Sequence, residues 1–285
     1  MVLIQRGTDG AEMAYRALEE LRAQELLSQK RRILIKPNIT VNKPASTGVT
    51  THVSVVEGVL RFLREHQLGE EVVIGEGGGC DISRAFRELG FAQLAERYGA
   101  RLADFNREEG VAVRVPNPLV QEEFMLARTV TECDCLINLP CLKVHMGESQ
   151  VTLCMKNLMG CLVRPRSFMH RDFNRRVLDL LRAVGHSELN LIDGLVGHER
   201  HEIYGKPVGM ELLIASRDPV AADAVGAAVM GFQEGEVGHI ALAGKMGLGE
   251  ASLDEIELHG PAIEQVRRPF RRAWQLRHPF RVPWW

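Results

Sequence analysis

Short apolar runs of strand length alternate with amphipathic stretches of helix length along most of this chain, and that alternation limits the fold more than any other feature. RRILIKPN (31–38), EVVIGE (71–76), ARLADF (100–105), CLINLP (135–140), LNLIDG (189–194) and MELLIAS (210–216) read as strands. Residues 11–27, 51–66, 81–98, 148–162 and 175–185 read as helices. In 51–66, Val56, Val59, Leu60 and Leu63 recur at i, i+3, i+4 and i+7, the stripe of a half-buried helix. DPVAADAVGAAVMG adds a further helix with Pro219 in its first turn, where a missing N–H costs little. VAVRV and EEFMLA form a small β excursion around residues 110–127. The expected fold is α/β, a mainly parallel sheet with helices on both faces. One domain, residues 1–264, precedes a tail, residues 265–285.

Sheets of this kind bind ligands beyond the carboxyl ends of their strands. KPN, GEGGGC, LPCLKVH and DGLVGHE each directly follow a strand reading, so they are expected at one site. Lys143 and His145 leave a strand end two residues apart and share a face in extended chain. Lys156 and Asn157 fall about two turns into the 148–162 helix, amid the apolar LCM and LMG. Polar groups in that setting face a cleft or carry a burial cost. A lysine binds anions and becomes a base when desolvated. A histidine shuttles protons. GEGGGC is read either as backbone N–H groups open to an anion or as a tight turn, with Cys80 a thiol of lowered pKa in the first case. Thr50 or Thr51 is the expected N-cap of the following helix. RPRSFMHRDFNRR (164–176) carries five arginines. Arg164, Arg166 and His170 are its candidate anion contacts, if the segment folds over the cleft.

Asp193, His198 and Glu199, followed by His201, are the candidate ligands of a divalent metal. Asp218 reads as a helix N-cap. Five of the six cysteines, Cys133, Cys135, Cys141, Cys154 and Cys161, crowd into one stretch. Their spacing departs from the two to four residues usual between paired metal ligands. They read as small buried hydrophobes, with an iron–sulfur or thiolate-metal site as the alternative.

The phrases ILIKPN, LINLPCLKVH, VTLCMKNLMG, IDGLVGHE and IASRDPVAADAVGA, in that order over about residues 31–250, resemble the domain-of-unknown-function family 362. By that resemblance Lys36, Asn38, Lys143, His145, Thr152, Lys156, Asn157, Asp193, Gly194 and Asp218 match the family pattern. Lys36, Asn38 and Thr152 thereby join the candidate substrate contacts. The resemblance implies no particular reaction. Some members of the family occur in iron–sulfur proteins, but this chain has no closely repeated cysteine run of the ferredoxin kind.

The net charge of −2 conceals a division. Residues 265–285 hold six arginines, no acid and all three tryptophans, which leaves the rest of the chain at about −8. An acidic body does not suit a general nucleic-acid binder. Arginine and tryptophan together suit docking on this chain's own body, on a second subunit or on a membrane surface. With no basic-then-apolar leader at the N-terminus, a cytoplasmic protein is expected. The leading function is an enzyme acting on a small carboxylate, acyl or phosphoryl compound, with a divalent metal assisting. The alternatives are a cluster-carrying redox protein and a binding module that uses the tail.

Overall fold

The structure, a computed structural model, describes residues 1–272. These residues form strands β1 (Val2–Arg6), β2 (Arg32–Pro37), β3 (Glu71–Glu76), β4 (Arg101–Asp104), β5 (Gly110–Arg114) and β6 (Glu123–Ala127). They continue with β7 (Cys135–Leu139), β8 (Cys141–Val144), β9 (Val151–Thr152), β10 (Leu189–Glu199), β11 (Lys206–Ser216) and β12 (Leu258–His259). The main sheet runs β12-β1-β11-β10-β7-β2-β3-β4, with β8 beside β10 and β9 beside β8. The pairings from β10 through β7, β2 and β3 to β4 are all parallel. Only β1–β11, β10–β11 and β8–β9 are antiparallel in this sheet. β5 and β6 form the separate small hairpin expected near 110–127.

Strand alternation sends side chains to two faces. Ile33 and Ile35 of β2 join a core with Ala14, Val59, Leu63 and Phe91 from helices Gly10–Glu20, Val53–Glu65 and Phe91–Tyr98. Leu34, between them, points the other way into a core with Phe124 of β6 and Leu180 of helix Phe173–Val184. A third core, on that second face, gathers around helix Pro219–Val229. Ten consecutive residues of this helix, Val220 to Val229, are buried, as its apolar composition requires. Asp218 caps it by accepting the N–H groups of Val220 and Ala221.

Several elements differ from the local reading. The 148–162 segment is not one helix. It consists of a 3-10 turn at Gly147–Ser149, strand β9, a four-residue helix at Cys154–Asn157 and a second 3-10 turn at Leu158–Cys161. Gln150, at φ +56°, turns the chain before β9 pairs with β8. LNLIDG continues to Glu199 because β11 pairs with its whole length, past an irregularity between Gly194 and Val196. His52, not Thr50 or Thr51, stands at the N-cap of helix Val53–Glu65. Of the tail, residues 265–272 pack on this chain. Phe270 is buried, Arg271 donates its N–H to Glu199, and Arg272 pairs with Glu236 over the ring of Phe232. Residues 273–285, with the three tryptophans, lie outside the described residues.

At the carboxyl ends of β2 and β3, the Lys36 ammonium and the Glu76 carboxylate form a buried ion pair of 2.9 Å. Glu76 also accepts the N–H groups of Ile39 (3.0 Å) and Gly77 (2.7 Å). Gly160 closes over the pair. A Cβ there would collide with Glu76 Oε1 and come within 2.7 Å of Lys36 Nζ. Lys36, expected at the substrate, is thus taken up beneath a turn. Lys36→Met should lower the free energy of unfolding by about 3–5 kcal/mol, because it strands a buried carboxylate. Lys36→Met with Glu76→Gln should lose less; urea denaturation of both variants checks this.

Candidate active site

Lys143, on β8, is fully buried, and its ammonium donates to three acceptors: Asn38 Oδ1 at 2.6 Å, Val49 O at 3.0 Å and Thr40 Oγ1 at 3.1 Å. Those three bonds use every ammonium hydrogen. The bond to Asn38 begins a one-way chain of amides. Asn38 Nδ2 donates to Asn157 Oδ1 (2.8 Å), Asn157 Nδ2 to Asn138 Oδ1 (2.8 Å), and Asn138 Nδ2 to Asn190 Oδ1 (3.1 Å). The chain ties β8 to the segment after β2, to helix Cys154–Asn157, to β7 and to β10. Thr51 fastens the same corner, accepting the Asn38 N–H (2.8 Å) and donating to Leu139 O (2.7 Å). Lys143 and Asn157, candidate catalytic groups, and Asn38, a candidate substrate contact, are therefore committed to one another.

Lys156 differs. The residue is only 7% exposed, yet among the described residues no carboxylate lies within ion-pair distance of its ammonium. Its neighbours are Met159 Sδ at 3.4 Å and the ring of Phe173, 4.9 Å from the ring centroid. Burial pulls its pKa down to about 8, partly opposed by the Glu202 carboxylate and reinforced by Lys143. The short helix carrying Lys156 is anchored by Asp223, whose carboxylate accepts the N–H groups of Cys154 (2.6 Å) and Met155 (3.0 Å). Glu148 accepts the Phe173 N–H (2.8 Å) and so fixes the ring beside Lys156.

His145 and His170 stack nearby with centroids 6.1 Å apart and an interplanar angle of 18°. His145 Nδ1 faces the Met146 carbonyl at 2.5 Å and Ser149 Oγ at 2.9 Å, which assigns the proton to Nδ1. Nε2 is then the basic nitrogen, 3.6 Å from Glu202 Oε1. Burial and the Lys156 charge hold the His145 pKa well below the ordinary value, and the same two causes lower that of His170. An ammonium, a neutral imidazole and a carboxylate therefore converge here. They can neutralise an anion, accept a proton and stabilise the imidazolium that results.

Other candidates lie apart. Thr152 is opposite Lys143 in the β8–β9 ladder, and its buried hydroxyl finds no partner among the described residues. Arg166 donates to Leu162 O, Gly78 O and Asn106 Oδ1, and Arg164 to Gly78 O. Both arginines thus strap residues 162–166 to the glycine turn after β3 and are not aimed at an open cleft. The turn spends the N–H of Gly77 on Glu76 and that of Gly79 on Thr40 O, so it is a tight turn and not an anion cradle. Burial raises the Cys80 pKa, against the expected lowering.

The metal candidates do not converge. Asp193 accepts the N–H and faces Nδ1 of His52 (2.6 and 2.8 Å), His198 faces Thr47 O (2.6 Å), and Glu199 accepts the Arg271 N–H (2.8 Å). The cysteines are dispersed too: Cys135 lies in the first core, Cys154 in the third, and Cys161 with Cys133 at its edge in the second. Among the described residues no three His, Cys, Asp or Glu side chains could hold a metal ion together. Burial raises the pKa of Cys133 well above the ordinary thiol value, and it also raises those of the other four. These thiols behave as core residues.

Local reading missed Glu76, Glu202 and Asp223. Each had a signal. Glu202 belongs to the HERHE run that supplied His198 and Glu199, and Asp223 is the lone carboxylate inside an all-apolar helix.

The model of the family described as domain of unknown function (DUF362) matches residues 33–228. The chain belongs to DUF362. The matched stretch contains the whole Lys143–Asn190 chain, Lys156, His145, Glu202 and Asp223, and ends before helix Gly238–Lys245. No curated protein matches the chain. One solved structure to which this DUF362 chain is similar is the lactate racemase apoprotein from Thermoanaerobacterium thermosaccharolyticum. The identity is 12% and the TM-score 0.43, over 80% of this chain and 57% of that one. The chain thus spans little more than half the length of that protein. No helix among the described residues is long and apolar enough to cross a membrane.

The anchoring carboxylate has a pH signature. Burial raises the Asp223 pKa to about 7, above the ordinary 3.8. The folded state then holds a proton that the unfolded state has released between about pH 4 and 7, so stability falls as pH rises through that window. Asp223→Asn should remove this slope and cost about 1–3 kcal/mol, since the two N–H groups go to different carboxyl oxygens and an amide replaces one of these with a donor. Denaturation of both proteins across pH 4–8 measures the two effects.

Proposed function

We propose that this protein is an enzyme that holds a small carboxylate, acyl or phosphoryl compound on Lys156 and moves a proton with His145. The observation that carries this reading is the buried Lys156 ammonium without a carboxylate in pairing distance, beside a histidine held neutral. A shielded charge is costly unless something of opposite sign meets it. Lys36 and Lys143 have their acceptors within the protein; Lys156 would find its own in a ligand.

The chemistry follows from the arrangement. The substrate anion sits against Lys156 and is kept from water by Phe173 and Met159. His145 Nε2 removes a proton from a carbon or hydroxyl next to the anionic group, and Glu202 stabilises the imidazolium. His170, stacked on His145, restricts the ring to one orientation. Return of the proton completes the cycle.

A panel of small carboxylates, acyl esters and phosphate esters, incubated with the protein in D₂O, tests the reading by deuterium incorporation and hydrolysis in proton NMR. One member should turn over. His145→Ala should slow that turnover by about 10²–10⁴-fold with the circular dichroism spectrum unchanged. Lys156→Met should weaken binding of the same compound, and wild-type affinity should fall above about pH 8 as the ammonium deprotonates. Unchanged turnover in His145→Ala together with unchanged binding in Lys156→Met would refute the proposal.

A further inference from the structure

Packed against Phe173 is a polar group with no part in the proton transfer proposed above. His239, near the start of helix Gly238–Lys245, is completely buried, and neither ring nitrogen finds a hydrogen-bond partner among the described residues. Its ring meets Phe173 at 88° with centroids 5.3 Å apart, and the same Phe173 ring carries Lys156 at 4.9 Å. Asn174, next to Phe173, packs over Gly238, and its buried Oδ1 is likewise without a partner. The Lys156 charge acts on His239 as well as on His145 and His170.

A neutral imidazole has one N–H donor and one acceptor nitrogen, and buried polar atoms are ordinarily hydrogen-bonded. Leaving both unmet in an apolar setting is a cost that packing alone does not explain, since an aliphatic side chain of similar volume would fill the space without it. Burial and Lys156 keep His239 uncharged, with its pKa lowered to about 3, so it offers hydrogen bonds and not charge. The natural complement to a group that both donates and accepts is another that does the same: a hydroxyl.

We infer that His239 forms the second half of the binding site, taking a neutral hydroxyl carried by the same small compound whose anionic group lies on Lys156. This rests on the proposed binding of an anion at Lys156 and names the substrate class more narrowly, as a hydroxylated small anion. His239 is a specificity residue and takes no part in the proton transfer. It lies beyond the stretch matched by the family model, so the preference belongs to this chain's own C-terminal part.

Two pairs of probes, each differing by one hydroxyl, separate the inference from its foundation: acetate against glycolate, and methylphosphonate against hydroxymethylphosphonate. By calorimetry, wild type should prefer the hydroxylated member of at least one pair by roughly five- to tenfold, the worth of one added hydrogen bond. His239→Leu should abolish the preference while leaving acetate or methylphosphonate binding unchanged, and His239→Gln should retain part of it. Without ligand, the melting temperature of His239→Leu should equal or exceed that of wild type. A preference that survives in His239→Leu, or a fall of several degrees in its melting temperature, would overturn the role of His239. Lys156→Met should weaken both members of each pair; equal binding by Lys156→Met and wild type would instead overturn the anion site itself.

Discussion

One ammonium joins the parts of this site. Lys143 donates to Asn38, Thr40 and the Val49 carbonyl, and through Asn38 it starts the line of amides that reaches Asn157, Asn138 and Asn190. Each amide in that line has its oxygen and its nitrogen oriented by the one before, because the first donor is a cation and cannot accept. Three strands, the segment after β2 and the helix carrying Lys156 are placed by this line. Buried polar networks of this kind add specificity only when every member is satisfied, and here the members named are. The position of Lys156, next to Asn157, is inherited from it.

The three buried lysines show how a fold divides similar residues by their partners. Lys36 meets Glu76, Lys143 meets neutral oxygens, and Lys156 meets a sulfur and an aromatic face. Among the described residues, only the last of the three meets no oxygen acceptor. A fall from 10.5 to about 8 in its pKa corresponds to about 3 kcal/mol of lost ammonium stabilisation. The anion of the proposed substrate would restore much of it by favouring the charged form. Asp223 adds rigidity from below: it holds the two leading N–H groups of a helix only four residues long, which local propensity could not sustain.

Much of the scaffold was legible locally. The Val56, Val59, Leu60 and Leu63 stripe is buried as its spacing requires, the strand alternation of ILIK sorts residues to two cores, and Asp218 caps its helix. Of the polar segments after the strands, KPN and LPCLKVH carry Asn38, Lys143 and His145, while GEGGGC and DGLVGHE are engaged elsewhere. What local pattern could not resolve was long-range. β10 continues beyond Gly194 because β11 pairs with it, and 148–162 breaks because β9 is drawn to β8 and Asp223 grips Cys154. The same limit applies to function. Lys36, Lys143 and Lys156 look alike in sequence, and partners 40 to 105 residues away engage the first two. The clustered cysteines mislead for a related reason, since Cys135 sits on β7, Cys154 on the short helix and Cys161 in the 3-10 turn after it, and these elements enter different cores.

The proposed site depends on Lys156 being a desolvated cation that awaits an anion. Nitrogen-15 NMR of lysine-labelled protein, with Lys156 assigned by its loss in Lys156→Met, follows that ammonium directly through a pH titration. Its midpoint should lie near 8 in protein free of added anions and should move upward on addition of inorganic phosphate or acetate, because an anion beside the group favours its charged form. A midpoint near the ordinary lysine value, or one that neither anion moves, would contradict the account.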